Sequence, residues 1–158
     1  MLTTDEIILN ILLDAKSDGN ELLQYFKINY PNNRVAEESN SIFIASVDAE
    51  GHTVAMDSQS FVDKVEVLIV TKNQDYQKAI RIIKTVSREV IRLVREHKDL
   101  FPVKPVVERV TPEYNKDFVL TRGHIMFQVK TEMDDFSRDD ELLTICQILA
   151  EDMDVIEE

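Results

Sequence analysis

Apolar residues recur along this chain with two periods, and the switches between them predict its elements. Ile7, Ile8, Ile11, Leu12 and Ala15 fall three or four residues apart, behind Thr3 and Glu6 at capping-box spacing. They predict a helix over 4–17, with Gly19 as its left-handed stop. Glu21 to Phe26 reads as a further short helical turn that buries Leu22, Leu23 and Phe26. Polar residues 31–41 read as a surface loop behind the turn signal Tyr30-Pro31-Asn32-Asn33. Period-two patterns then predict a strand over 41–47, a turn at Asp48-Ala49-Glu50-Gly51 and a return strand over 52–56.

The strongest strand signal is 61–71, where Val65, Val67 and Ile69 alternate with Glu66 and Leu68. A polar turn follows, with Asn73 or Asp75 as the cap of a helix over 75–97. Strands are predicted at 103–111 and 118–131, separated by a turn over 112–117. Pro105 points to an edge position for the first of them, and Gly123 marks a bulge or a close backbone approach in the second. A last helix from Asp139 carries Leu142, Leu143, Ile145, Cys146, Leu149 and Met153. The expected fold is α+β. A mostly antiparallel sheet of four to five strands carries the long amphipathic helix on one face, with N- and C-terminal helices added. The first helix is expected on the same side or at the sheet edge.

The 158 residues fit one domain, and 44% apolar residues can form a core. The net charge of −12 is unevenly placed. Residues 132–158 hold eleven acids and one base, a net −10, and residues 1–131 hold nineteen acids and seventeen bases, a net −2. The reading is a single α+β domain over 1–131 with an acidic helical extension over 132–158. Such a balance disfavours a dedicated binder of nucleic acid or anionic membrane, because phosphate contact needs positive surface. One cysteine, Cys146, allows no intrachain disulfide, which suits a reducing compartment. The start Met-Leu-Thr-Thr-Asp-Glu lacks the pattern of a signal peptide. No apolar run approaches the roughly 18 residues of a membrane span, so a soluble protein made in a cytoplasm is expected.

The long helix carries the most unusual charge layout. At about 100° per residue, Arg81, Lys84, Arg88, Arg92 and Arg95 share an arc of roughly 80°. Ala79, Ile83, Val86, Val90 and Val94 take the opposite side. Two readings stand: a solvated outer face, or a surface for an acidic partner. Four of the five cations are Arg, which pairs carboxylates bidentately and is enriched at interfaces. Only Glu89 and Glu96 interrupt, to one side. The candidate partners are phosphate and the chain's own C-terminal segment, folded back or from a neighbouring copy.

Catalytic chemistry finds little footing. His52, His97 and His124 lie in separate elements without ligand-spaced companions, and read as surface or structural residues. Cys146 reads as a small hydrophobe packed beside Leu142, Ile145 and Leu149. Glu37-Glu38, Asp134-Asp135 and Asp139-Asp140-Glu141 lack the spacing and glycine of a calcium loop, and Asp139 and Asp140 suit a helix start. There is no phosphate-cradling glycine loop and no serine elbow. No enzyme activity, cofactor or metal is expected.

The strand Val62-Asp63-Lys64-Val65-Glu66-Val67-Leu68-Ile69-Val70, the turn Thr71-Lys72-Asn73-Gln74-Asp75-Tyr76 and the helix after it form a distinctive unit. With Pro112-Glu113-Tyr114-Asn115-Lys116-Asp117-Phe118-Val119-Leu120 and Arg122-Gly123-His124-Ile125-Met126-Phe127-Gln128-Val129, it resembles the tail terminator (tail completion) proteins of long-tailed bacterial and archaeal viruses. The likeness spans about residues 4–131 in pattern and size and omits the acidic C-terminal helix. It implies a non-enzymatic virion part, assembled in the host cytoplasm as a hexameric ring on the finished tail. The partners it implies are tail tube protein and a head-completion or neck protein, with DNA only passing through the lumen and no membrane. Arg81, Lys84, Arg88, Arg92 and Arg95 on one copy facing Asp139, Asp140 and Glu141 on the next would form a head-to-tail subunit interface. The alternative is a small nucleic-acid-binding module using the same basic face.

Overall fold

In the computed structural model, residues 2–30, 40–55, 58–73, 75–101, 105–113, 121–132 and 138–157 are described. Among them, the side chains at 47–61, 108–109, 112–113, 130–132, 138–141 and 152–157 fall outside the description. The order is α1 (Thr4–Ser17), a 3-10 turn (Leu23–Tyr25), β1 (Lys27–Asn29), β2 (Ser41–Ala55), β3 (Ser58–Thr71), α2 (Tyr76–Glu96), a 3-10 turn (Lys98–Leu100), β4 (Val106–Glu113), β5 (Thr121–Glu132) and α3 (Arg138–Glu157). The five strands form one sheet in the order β1-β2-β3-β5-β4. Only the β1–β2 pair is parallel. The expected α+β architecture is therefore present. Both β3 and β4 run antiparallel to β5, so β3-α2-β4 is a β-α-β unit split by the intervening β5.

Both α1 and α2 lie on one face of the sheet. Strand alternation aims Ile42, Ile44, Val65, Val67, Ile69 and Ile125 at them, and α1 answers with Ile8 and Leu12 and α2 with Ile83 and Val90, all buried. On the opposite face Phe43, Val70 and Met126 are also buried, beside a contact between His124 Nδ1 and Glu66 Oε1. His124, read as a surface or structural residue, makes a cross-strand contact from β5 to β3.

The caps follow from short sequence signals. Asp75 accepts the Lys78 amide at 3.1 Å, which resolves the choice between Asn73 and Asp75, while Asn73 Oδ1 accepts the Asp75 amide at 2.9 Å. Gly19, at φ +91°, closes α1 in a Schellman motif, with the Asn20 amide donating to Ala15 at 3.0 Å and the Gly19 amide to Lys16 at 3.1 Å. The predicted capping box at Thr3 does not form. Thr3 takes the extended N-cap conformation but is exposed and makes no side-chain cap bond.

Several strand boundaries move. The predicted turn at 48–51 is continuous strand, because β2 pairs with β3 from Ser41 to Ala55 and takes up the irregularity as a register shift between Ser46 and Asp48. Strand β4 extends through Pro112, predicted as turn, which pairs opposite Gly123. As an edge strand, β4 tolerates the missing amide there. The three-residue β1 was not predicted at all. The loop read over 31–41 and the linker read over 132–138 fall largely outside the described residues.

Asp63 sits on the helix-facing side of β3 near the start of α1. Burial raises its carboxyl pKa above the usual range, opposed by a hydrogen bond from Thr4 and assisted by repulsion from Asp5. A raised folded-state pKa means the fold prefers the protonated form. Stability is then lost as pH rises from the ordinary value through the raised one. Asp63→Asn is expected to leave the urea midpoint near that of the parent at pH 4 and to raise it at pH 7. Equal midpoint shifts at both pH values would reject this assignment.

Candidate subunit interface

Asp75 fixes where α2 begins, and its apolar face fixes how the helix is rolled on the sheet. Ala79, Ile83, Val86, Val90 and Val94 are all nearly inaccessible. That rotation turns Arg81, Lys84, Arg88, Arg92 and Arg95 outward, and all five are exposed on one face. Residues 76–96 carry six bases and two acids, a net +4 on a chain of net −12.

The five cations are not equivalent. Arg92 is bound within its own helix, donating through Nε to Glu89 Oε2 at 3.0 Å and through Nη1 to Glu96 Oε1 at 2.5 Å. Glu89 also accepts from Asn20 Nδ2 at 2.9 Å, and Asn20 Oδ1 accepts the Leu22 and Leu23 amides at 3.0 and 3.1 Å. Arg92 and Glu89 thus tie α2 to the segment after α1. The Arg92 hydrogen bonds hold the Glu89 carboxyl below its usual range, helped by Asn20 and opposed by burial, and the same pairing raises Arg92. This contribution is present at neutral pH and is lost as pH falls through the depressed Glu89 value. Among the described residues no ion pair reaches Arg81, Lys84, Arg88 or Arg95.

Apolar hollows flank this face. Beside Arg81, one of ≈ 310 Å³ is lined by Leu22, Tyr25, Phe26, Ile82 and Val86. On the other flank, one of ≈ 490 Å³ lies between the end of α2 and the edge strand β4. Ile91, Val94, Val106 and Phe127 form its walls, and Arg95 and Lys98 stand at its lip. Val106 is 60% exposed there, and Val110 further along β4 is 42% exposed. Sequence reasoning missed both hollows, because each joins elements distant in the chain.

The acidic side of the expected interface begins α3. Asp139, Asp140 and Glu141 fall in its first turn, with their side chains outside the description. From Leu142 to Glu151 every residue is exposed, and no described residue of α3 belongs to the core. Leu143 is 62% exposed and Leu149 56%. The packing expected for Cys146 is not observed, since it is exposed with its neighbours. Helical spacing places it beside Leu142, Ile145 and Leu149, and among the described residues no side of α3 from 142 to 151 is buried. Among the described residues, α3 and α2 share no extensive packed contact.

Among the described residues, no group of three or more His, Cys, Asp or Glu is placed to hold a metal, and no helix is long and apolar enough to cross a membrane. His97 closes α2, its Nδ1–H donating to the Leu93 carbonyl at 2.8 Å, while the His52 side chain falls outside the description.

No protein-family profile and no curated protein matches the chain. Among solved structures, the fold is similar to a chain of the virion of a native gene transfer agent particle, with a TM-score of 0.57. The match covers 78% of this chain and 93% of that one at 9% identity, so what the two demonstrably share is the fold.

Proposed function

We propose that this protein is a structural subunit of a virus-like particle, a tail terminator. In this reading it forms a ring, hexameric in the related proteins, that caps the tail tube, ends its elongation and offers the head or neck protein a joining surface. The observation that carries the reading is the shared fold with a chain of a gene transfer agent virion over 93% of that chain. The outward basic face of α2 and the acidic α3 support it, because one subunit then holds two complementary patches for head-to-tail closure. Arg81, Lys84, Arg88 and Arg95 would face Asp139, Asp140 and Glu141 of the next copy. Arg92, already held by Glu89 and Glu96, has a smaller part in this arrangement than its neighbours. The domain reading follows the same division: 1–131 as the body and 132–158 as the arm that reaches a partner.

Sedimentation and negative-stain imaging test this, alone and with tail tube protein of the same particle. Rings, and tubes capped at one end, are the expected result. A chain that stays monomeric at every concentration and leaves the tubes uncapped would end the proposal.

The exposed cations also motivate the rival reading, a nucleic-acid-binding module on the same face. Phosphate contact makes affinity fall steeply with salt. With net charge −12 the expected result is no measurable duplex binding between 50 and 200 mM salt, by fluorescence anisotropy. Salt-dependent binding abolished by Arg88→Glu with Arg95→Glu would favour the module instead.

A further inference from the structure

A helix that exposes leucine and isoleucine along its length is incomplete as an isolated object. Residues Leu142, Ile145 and Leu149, with Cys146 among them, form a strip along α3, and Leu142, Ile145 and Leu149 are 44%, 48% and 56% exposed. Twenty residues make a rod of about 30 Å. Residues 138–157 hold seven acids and one base, a net −6. The helical repeat sets positions 141 and 152, both acidic, along one margin of the apolar strip.

The hollow between α2 and β4 has the complementary composition. Its floor is apolar, with Ile91, Val94, Val106 and Phe127, and its lip is cationic, with Arg95 and Lys98. Lys84 and Arg88 continue the positive margin along the same flank of α2. The other hollow is smaller and carries a single cation, Arg81. Charge thus favours the α2–β4 side as the seat of an acidic helix that carries an exposed apolar strip.

We infer that α3 of one copy seats its Leu142–Leu149 strip in the groove between α2 and β4 of a second copy, with its acidic margin along Lys84, Arg88, Arg95 and Lys98. The occupant is a second copy because, among the described residues, α3 packs on no element of its own chain extensively and keeps its apolar strip exposed, and the two charge patterns are complementary. This rests on the reading of the protein as self-assembling and makes it specific. Apolar contact supplies the seat's stability and charge fixes its register.

The single native cysteine makes the test direct, because Cys146 lies in the strip. Val106→Cys places a second thiol in the groove, and a short bis-maleimide reagent is added to the full chain at ring-forming concentration. Links joining Cys146 of one copy to position 106 of another, found by peptide mass, are expected. They should fall at least tenfold with Glu141→Arg and Asp152→Arg, and recover when Arg95→Glu and Lys98→Glu are added. A link within one chain would overturn the inference in favour of fold-back. Equal linking in the chain that lacks Val106→Cys would overturn it in favour of paired α3 helices. Rings that form without any such link would overturn it and leave the ring reading standing, whereas a protein that never assembles would overturn both.

Discussion

Gly123→Ala is expected to lower the stability of the chain by about 3 kcal/mol, at the upper end of the usual range for forcing an extra methyl group into a packed core. A Cβ at Gly123 would lie 2.3 Å from Cγ2 of Ile83. No pair of carbon atoms tolerates that distance, so the strand or the helix must move. The obvious escape is rotation of Ile83, yet a β-branched side chain in a helix has essentially one good rotamer. Ile83 is also almost fully buried. The substitution does restrict the unfolded chain, which offsets about 0.4–1 kcal/mol of the loss. Urea denaturation of both proteins measures the difference.

A double-mutant cycle identifies the cause. Ile83→Ala removes Cγ2 and leaves the Ile83 Cβ position, which the new methyl meets at an ordinary 3.6 Å. Alone, Ile83→Ala is expected to cost about 2–5 kcal/mol as a core truncation. Adding Gly123→Ala to it should cost little more, so the two changes are strongly non-additive. Additive losses would show that Gly123 matters for strand conformation and not for the approach of α2. Because α2 is the element that displays the basic face, this one contact also sets how that face is presented.

How much of this was legible in the sequence depends on how local the cause is. Both α1 and α2 were readable nearly to the residue, since their periodicity and stop signals lie within the segments themselves. Gly123 was recognisable as special, but bulge and close approach look alike until Ile83 is known to lie over it. Strand β1 has three residues, too few for a period, and it is a strand only because β2 lies beside it. The residues Asp48-Ala49-Glu50-Gly51 have turn chemistry, yet the long ladder to β3 overrides them. For Cys146, spacing groups it with Leu142, Ile145 and Leu149 but cannot say whether anything covers that group. The neutralisation of Arg92 was legible in principle, because Glu89 and Glu96 stand three and four residues away on the same helix. The four other cations are distinguished from it by what is missing among the described residues, and a sequence has no means of displaying that.

Reversing two of those cations is therefore expected to abolish assembly while leaving the fold intact. Arg88→Glu and Arg95→Glu alter exposed side chains that bond no described neighbour, so the melting temperature should change by no more than a degree or two. At an interface with acidic residues the same changes replace attraction by repulsion. Exposed ion pairs contribute about 0.2–1 kcal/mol each, and reversal both removes that and adds a penalty of similar size. Two reversals then cost about 1–4 kcal/mol per contact, or about 5–700-fold in its affinity. A closed ring multiplies the loss, since every junction carries it. Sedimentation should show monomers at concentrations where the unmodified chain forms rings, and salt should weaken the unmodified rings in the same direction. Arg92→Glu is the internal control. That residue is committed to Glu89 and Glu96, so its reversal should disturb α2 itself and lower the melting temperature more than it alters assembly. Rings that survive the double reversal at moderate salt would place the subunit contact elsewhere on the molecule and return the basic face of α2 to ordinary solvated surface.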